Sequence, residues 1–144
     1  MLLQRYGNLR RRIKDCNENI RELYAEKNSC TDKLLCPAKL GRESQRSNIS
    51  GDPVYSTVQL MVDVYDVRIA EATEYLKRLC AEHDDIERTI EAAMLTADET
   101  DYLRMRYVEK RSVMVIANIM NYSERQTQRV RLALLRAIGR AMGK

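Results

Sequence analysis

SVMVIANIMNYSERQTQRVRLALLRAI, residues 112–138, holds two helical patterns separated by a turn signal. In its first part Ile116, Ala117 and Met120 recur at helical spacing, and Ser112 stands where a side chain would cap that helix. Asn121-Tyr122 then interrupts the pattern. A short amide side chain tolerates a left-handed backbone, and Ser123 offers its hydroxyl to the first free amides of a new helix. Along that new helix Thr127, Val130, Leu134, Ala137, Ile138 and Ala141 form an inward stripe, which leaves Glu124, Arg125, Gln128, Arg129, Arg131 and Arg136 on outward faces. Ala117 is small where two crossing helices come closest. A short helix, a capped turn and a longer basic helix make a helix-turn-helix pattern.

Upstream, Leu95-Thr96-Ala97-Asp98-Glu99 carries a second start signal, with Thr96 as N-cap and Glu99 three residues later completing a capping box. Leu103, Met105, Tyr107 and Val108 give the helix that follows an apolar side, and Lys110-Arg111 end it with positive charge before Ser112. Residues 95–144 therefore read as one small three-helix domain, with the third helix beginning at Glu124.

Residues 1–94 follow a different period. Tyr6, Leu9, Ile13, Cys16, Ile20 and Leu23 alternate steps of three and four, a coiled-coil-like seam that predicts a first helix over residues 2–28. Pro37, Gly41, Ser44, Ser47, Ser50, Gly51, Asp52 and Pro53 then predict a flexible loop over 29–52. After Pro53, at a favourable first helical position, the seam resumes at Val58, Val62, Tyr65, Ile69, Ala72, Leu76, Leu79, His83, Ile86, Ile90 and Ala93. A second helix over 54–94 would be roughly 60 Å long and needs a partner along its length. The expected fold is all-α: a long antiparallel helical hairpin over 1–94, then the helix-turn-helix domain over 95–144. Leu60, Val64, Val67 and Leu79 are expected to leave apolar surface for a second copy, so a homodimer is the expected state.

Charge sharpens the functional reading. The net charge is +4, but residues 1–53 carry 11 basic and 7 acidic side chains, 54–99 carry 4 and 11, and 100–144 carry 10 and 3, giving balances of +4, −7 and +7. The last segment suits a polyanion and the middle one would be repelled by it. Arg and Gln can make bidentate bonds to guanine and adenine, each worth roughly 1–3 kcal/mol of discrimination. Lys110, Arg111, Ser123, Glu124, Arg125, Gln126, Gln128, Arg129, Arg131 and Arg136 are thus the candidate DNA-binding residues, and double-stranded DNA the expected partner.

These residues resemble a known family. Leu95-Thr96, Leu103, Arg106-Tyr107, Ile116-Ala117, Met120, Tyr122-Ser123-Glu124-Arg125-Gln126 and Val130 look like region 4 of bacterial sigma factors, which reads the upstream promoter element. The layout of basic helix, Ser/Gly loop, long acidic helix and this domain is similar to phage and prophage transcriptional regulators of the ArpU/RinA type. The resemblance implies that Ser123 caps the recognition helix, that Glu124, Arg125, Gln128 and Arg129 face bases, and that Arg131 lies nearer the backbone. It also raises RNA polymerase as a further partner, and implies a regulator in a bacterial host cytoplasm, associated with the nucleoid. Thr127 stands where the family has an aliphatic residue, and Lys110-Arg111 replace a glycine-containing turn.

Other chemistries find less in the sequence. Cys16, Cys30, Cys36 and Cys80 are few and irregular, as in a reduced cytosolic protein. Cys30, Cys36, Cys80 and His83 could supply four zinc ligands, but in an antiparallel pair Cys30 and Cys80 would lie roughly 39 Å apart along the helix, so no metal or other cofactor is expected. His83 reads as a partly buried seam residue. It has no nucleophile nearby, and Glu82, Asp84 and Asp85 read as a solvated edge, so no enzyme is expected. No stretch approaches the roughly 20 apolar residues of a membrane span. Met105, Met114 and Met120 are expected in the core, and Tyr102, Tyr107 and Tyr122 supply aromatic packing in a chain without Phe or Trp. Two other functions share these features: a phage packaging or replication adaptor that also grips DNA, and a coiled-coil interaction protein that does not.

Overall fold

The computed structural model describes residues 1–35 and 53–143. It is all-helical, with α1 (Leu2–Leu35), α2 (Pro53–Ala92), α3 (Ala97–Leu103), a π-helical turn (Arg104–Val108), α4 (Val113–Met120) and α5 (Glu124–Met142), and no strand among the described residues. The chain divides into two compact units, Met1–Lys14 with Arg78–Lys144, and Asp15–Lys77. The 94/95 boundary expected from the sequence falls at the turn made by Ala93 and Met94, inside the first of these units.

Within Asp15–Lys77, buried Cys16 donates from Sγ to the Ala72 carbonyl at 3.4 Å, and the Lys27 ammonium pairs with Asp66. Partner numbers rise along α1 as they fall along α2. Ile69 is buried, and Val62, Tyr65, Ala72, Ile20 and Leu23 are half-buried, so the three-four seam turns inward. Helix α1 runs seven residues beyond the expected 28, because residues 29–35 contain no breaker and the Thr31 hydroxyl is absorbed by the Lys27 carbonyl at 3.0 Å. The remaining expected loop, 36–52, lies outside the described residues.

Leu60, Val64 and Val67 are exposed, as expected, and Met61 is exposed with them. Leu79 does not belong with them. It is 3% exposed because its step in the heptad places it on the seam rather than beside it.

The other unit joins the first turns of α1 to the end of α2 and to everything after it. Leu3, Tyr6 and Leu9 are buried from α1, Leu79 and Ile86 from α2. The Tyr6 ring stacks on His83, with centroids 5.0 Å apart and planes 22° from parallel, and its hydroxyl donates to Glu87 Oε1 at 3.5 Å. Arg5 pairs with Glu82. Burial is the main reason that the Tyr6 phenol ionises above its ordinary range. His83 is thus the partly buried seam residue that its heptad position predicted.

Gly7 faces the chain after α3 so closely that a Cβ built on it would overlap the Tyr107 carbonyl oxygen and crowd the carbon behind it. Only a residue without a side chain permits that approach.

The helix expected to run from Thr96 towards Lys110 is not uniform. Its α-helical part ends at Leu103, and the chain widens into the π turn, with the Glu109 amide bonding to the Arg104 carbonyl at 3.0 Å, five residues back. This turn buries Met105 and Tyr107. Tyr102, Leu103, Ile116, Ala117, Leu134, Ala137 and Ile138 complete the core of α3, α4 and α5. Of the three methionines expected there, Met105 is buried and Met120 half-buried, but Met114 is 74% exposed. It occupies the outer face of α4, two residues and so about half a turn from buried Ile116.

Candidate nucleic-acid interface

Three helix starts build this region, and each uses the cap that its sequence carries. The Thr96 hydroxyl accepts from the Glu99 amide at 3.4 Å while Glu99 Oε2 accepts from the Thr96 amide at 3.0 Å. The Ser112 hydroxyl accepts from the Val115 amide at 3.4 Å. At α5 the Ser123 hydroxyl accepts from the Gln126 amide at 3.2 Å, and Gln126 Oε1 returns to the Ser123 amide at 3.0 Å. Each reciprocal pair satisfies two amides that a helix start would otherwise leave bare.

Between α4 and α5 the chain turns at Asn121, which adopts φ 54°, ψ 38°. The Tyr122 amide then bonds back to the Ala117 carbonyl at 2.9 Å. The Tyr122 hydroxyl donates to Asp98 Oδ2 at 2.7 Å, tying this turn to the first turn of α3. That hydrogen bond, followed by the negative charge of Asp98, raises the phenol above its usual range.

Thr127, an aliphatic position in the sigma-like pattern, is wholly buried, and its hydroxyl donates to the Ser123 carbonyl at 3.1 Å. The methyl group fills the core and the polar atom is satisfied within its own helix, so the residue costs the packing little.

The candidate residues separate into groups. Arg125, Arg129, Arg136 and Arg140 follow one another at steps of four, seven and four, which sets them along one exposed stripe of α5. Glu124, Gln128 and Arg131 follow a second stripe. Arg125, Arg129, Arg131 and Arg136 have no acidic partner among the described residues. Arg111, by contrast, pairs with Glu109 at 2.6 Å, and Arg104 reaches both Asp101 at 3.3 Å and Glu109 at 3.7 Å. Gln126 spends its carbonyl oxygen on the cap, which leaves its amide nitrogen to face outward chemistry. Arg136 and Arg140 line a shallow hollow beside Glu99.

Lys110 and Arg131 line another cleft, together with Arg106, Tyr107, Gln4 and Asn8. Sequence reasoning missed Arg106, Gln4 and Asn8, because nothing in a period of three and four says that the first turns of α1 meet the chain after α3. The detectable signal was Gly7, a poor helix former inside an otherwise regular helix. Met114, Val115 and Ile119 on α4 and Leu132 on α5 are exposed apolar side chains.

His83, Asp84 and Glu87 bring one ligand atom each within 4.8 Å of the others, but both acids are exposed and the imidazole is already stacked on Tyr6. Cys30 and Cys80 are free thiols, and Cys36 lies outside the described residues. No described helix is long and apolar enough to cross a membrane. No protein-family model, curated protein or solved structure matches the chain.

Proposed function

We propose that this chain is a sequence-specific duplex-DNA-binding transcriptional regulator of phage or prophage genes, with α4 and α5 as its helix-turn-helix and α5 entering the major groove. The observation that carries the reading is the pair of serine-capped helices joined through left-handed Asn121, from which Arg125 and Arg129 project without an acidic partner among the described residues. Five exposed arginines on α5 can meet phosphates, and Arg125, Gln128 and Arg129, in its first two turns, can meet base edges. Glu124 suits a cytosine amine.

In the same reading α1 and α2 form an antiparallel helical hairpin that serves as an oligomerisation arm. The exposed Leu60, Met61, Val64 and Val67 support a second copy as the partner of that arm. A dimer would favour symmetry-related half-sites, and RNA polymerase is a further partner. The activity is binding, without catalysis.

Enrichment of duplexes from a random pool, followed by footprinting, tests the proposal. A shared motif protected in two related halves is the expected result. Recovery of no motif, with Arg125→Ala/Arg129→Ala protein enriching the same pool equally, contradicts it and favours the interaction-protein alternative.

A further inference from the structure

The cleft between the start of α1 and the π turn has a lining of one sign. Arg106 and Lys110 enter it from the π turn and the residues just after it and Arg131 from α5, Gln4 and Asn8 add amides from α1, and among the described residues no carboxylate lines it. Its volume is about 300 Å³, room for a tetrahedral oxyanion and its hydration.

The cations keep donors to spare. Lys110 Nζ donates to the neutral Asn8 Oδ1 at 2.9 Å, which orients the ammonium without cancelling its charge. One Arg106 nitrogen donates to the Arg111 carbonyl at 2.9 Å, leaving the rest of that guanidinium open. Arg131 has no hydrogen-bond or ion-pair partner among the described residues.

Lys110 also holds φ 57°, a left-handed conformation that a glycine adopts more freely than a residue with a side chain. Lys110 thus brings to the cleft a positive charge that has no acidic partner among the described residues.

We infer that this cleft binds one phosphate group, that of the duplex backbone, so that α1 takes part in gripping DNA alongside α5. The inference rests on the proposed DNA reading for the source of the phosphate, and on the cleft alone for its chemistry. Lys110 and Arg131 supply the charge, Arg106 a planar pair of donors, and the Gln4 and Asn8 amides neutral donors.

The test uses the full chain with Lys110→Gly, which removes the charge while relieving the backbone, and Arg131→Gln as a second variant. Affinity for a random-sequence duplex is measured at several salt concentrations. Each variant is expected to lower the slope of log affinity against log salt by about 0.9, on every sequence alike. If the native protein binds duplex and both variants keep its slope, the cleft assignment is overturned while the role of Arg125 and Arg129 stands.

If the native protein binds no duplex even at low salt, the DNA reading fails, and melting in inorganic phosphate against chloride at matched ionic strength decides the site. A larger phosphate-induced rise in Tm for native protein than for Lys110→Gly keeps the site and assigns it to a free phosphate. Equal rises overturn it.

Discussion

Gly7 in α1 and the carbonyl of Tyr107 in the π turn lie closer than any side chain would allow, and this approach fastens the first turns of α1 to the elements that follow α3. In an exposed helix interior Gly→Ala stabilises by about 1 kcal/mol. Here the sign reverses. Gly7→Ala is expected to destabilise by about 1–3 kcal/mol, since the neighbour is backbone and has no rotamer to yield. Urea denaturation of the two proteins reads the difference directly, and a stabilised variant would refute the close approach.

The serine caps should be separable from the core. Ser112→Ala and Ser123→Ala each remove an acceptor from a helix start and are expected to cost about 1 kcal/mol, whereas Leu134→Ala, at a fully buried position, is expected to cost about 2–5 kcal/mol. Thermal melts monitored by circular dichroism distinguish the two scales.

Much of this architecture is legible in the sequence because the deciding signals are local. Thr96, Ser112 and Ser123 cap the helices they were expected to cap, and Asn121 takes the left-handed turn, since a cap reads only the next three residues. The inward stripe of α5 follows from its period alone. What stayed hidden depends on contacts between distant segments or on hydrogen-bond slippage within one. The π turn leaves no residue type as its mark, and the joining of Gly7 to Tyr107 spans a hundred positions of chain. Met114 was misplaced because a flexible thioether is equally compatible with either face of a short helix.

Tyr102 is fully buried, yet its hydroxyl finds no hydrogen-bond partner among the described protein atoms. A buried hydroxyl without a partner costs about 1–3 kcal/mol, so Tyr102→Phe is expected to leave stability unchanged or raise it. A fall in Tm of several degrees would show that the hydroxyl is held.

Alkaline pH should weaken the fold. Tyr6 and Tyr102, raised chiefly by burial, and Tyr122, raised chiefly by its bond to Asp98, all ionise later in the folded protein than in the unfolded chain. The folded state therefore holds these protons more tightly. Its advantage is complete below the unfolded value near 10 and is lost as pH rises through the higher folded values. Denaturation midpoints measured from pH 8 upward should fall beyond about pH 10, and less steeply in Tyr122→Phe.

The exposed apolar face of α2 predicts self-association. Leu60→Glu with Val64→Glu is expected to convert a dimer to a monomer in light scattering without altering helical content, because both side chains already face outward. A monomeric native protein at high concentration would show that this face does not join two copies.

Whether α5 reads duplex DNA is decided by a fluorescence titration of promoter-derived and random duplexes at two salt concentrations. Native protein is compared with Arg125→Ala/Arg129→Ala. Native protein is expected to prefer one duplex and to bind all of them more weakly as salt rises, and the variant to lose chiefly that preference. Absence of duplex binding by native protein at low salt would contradict that reading.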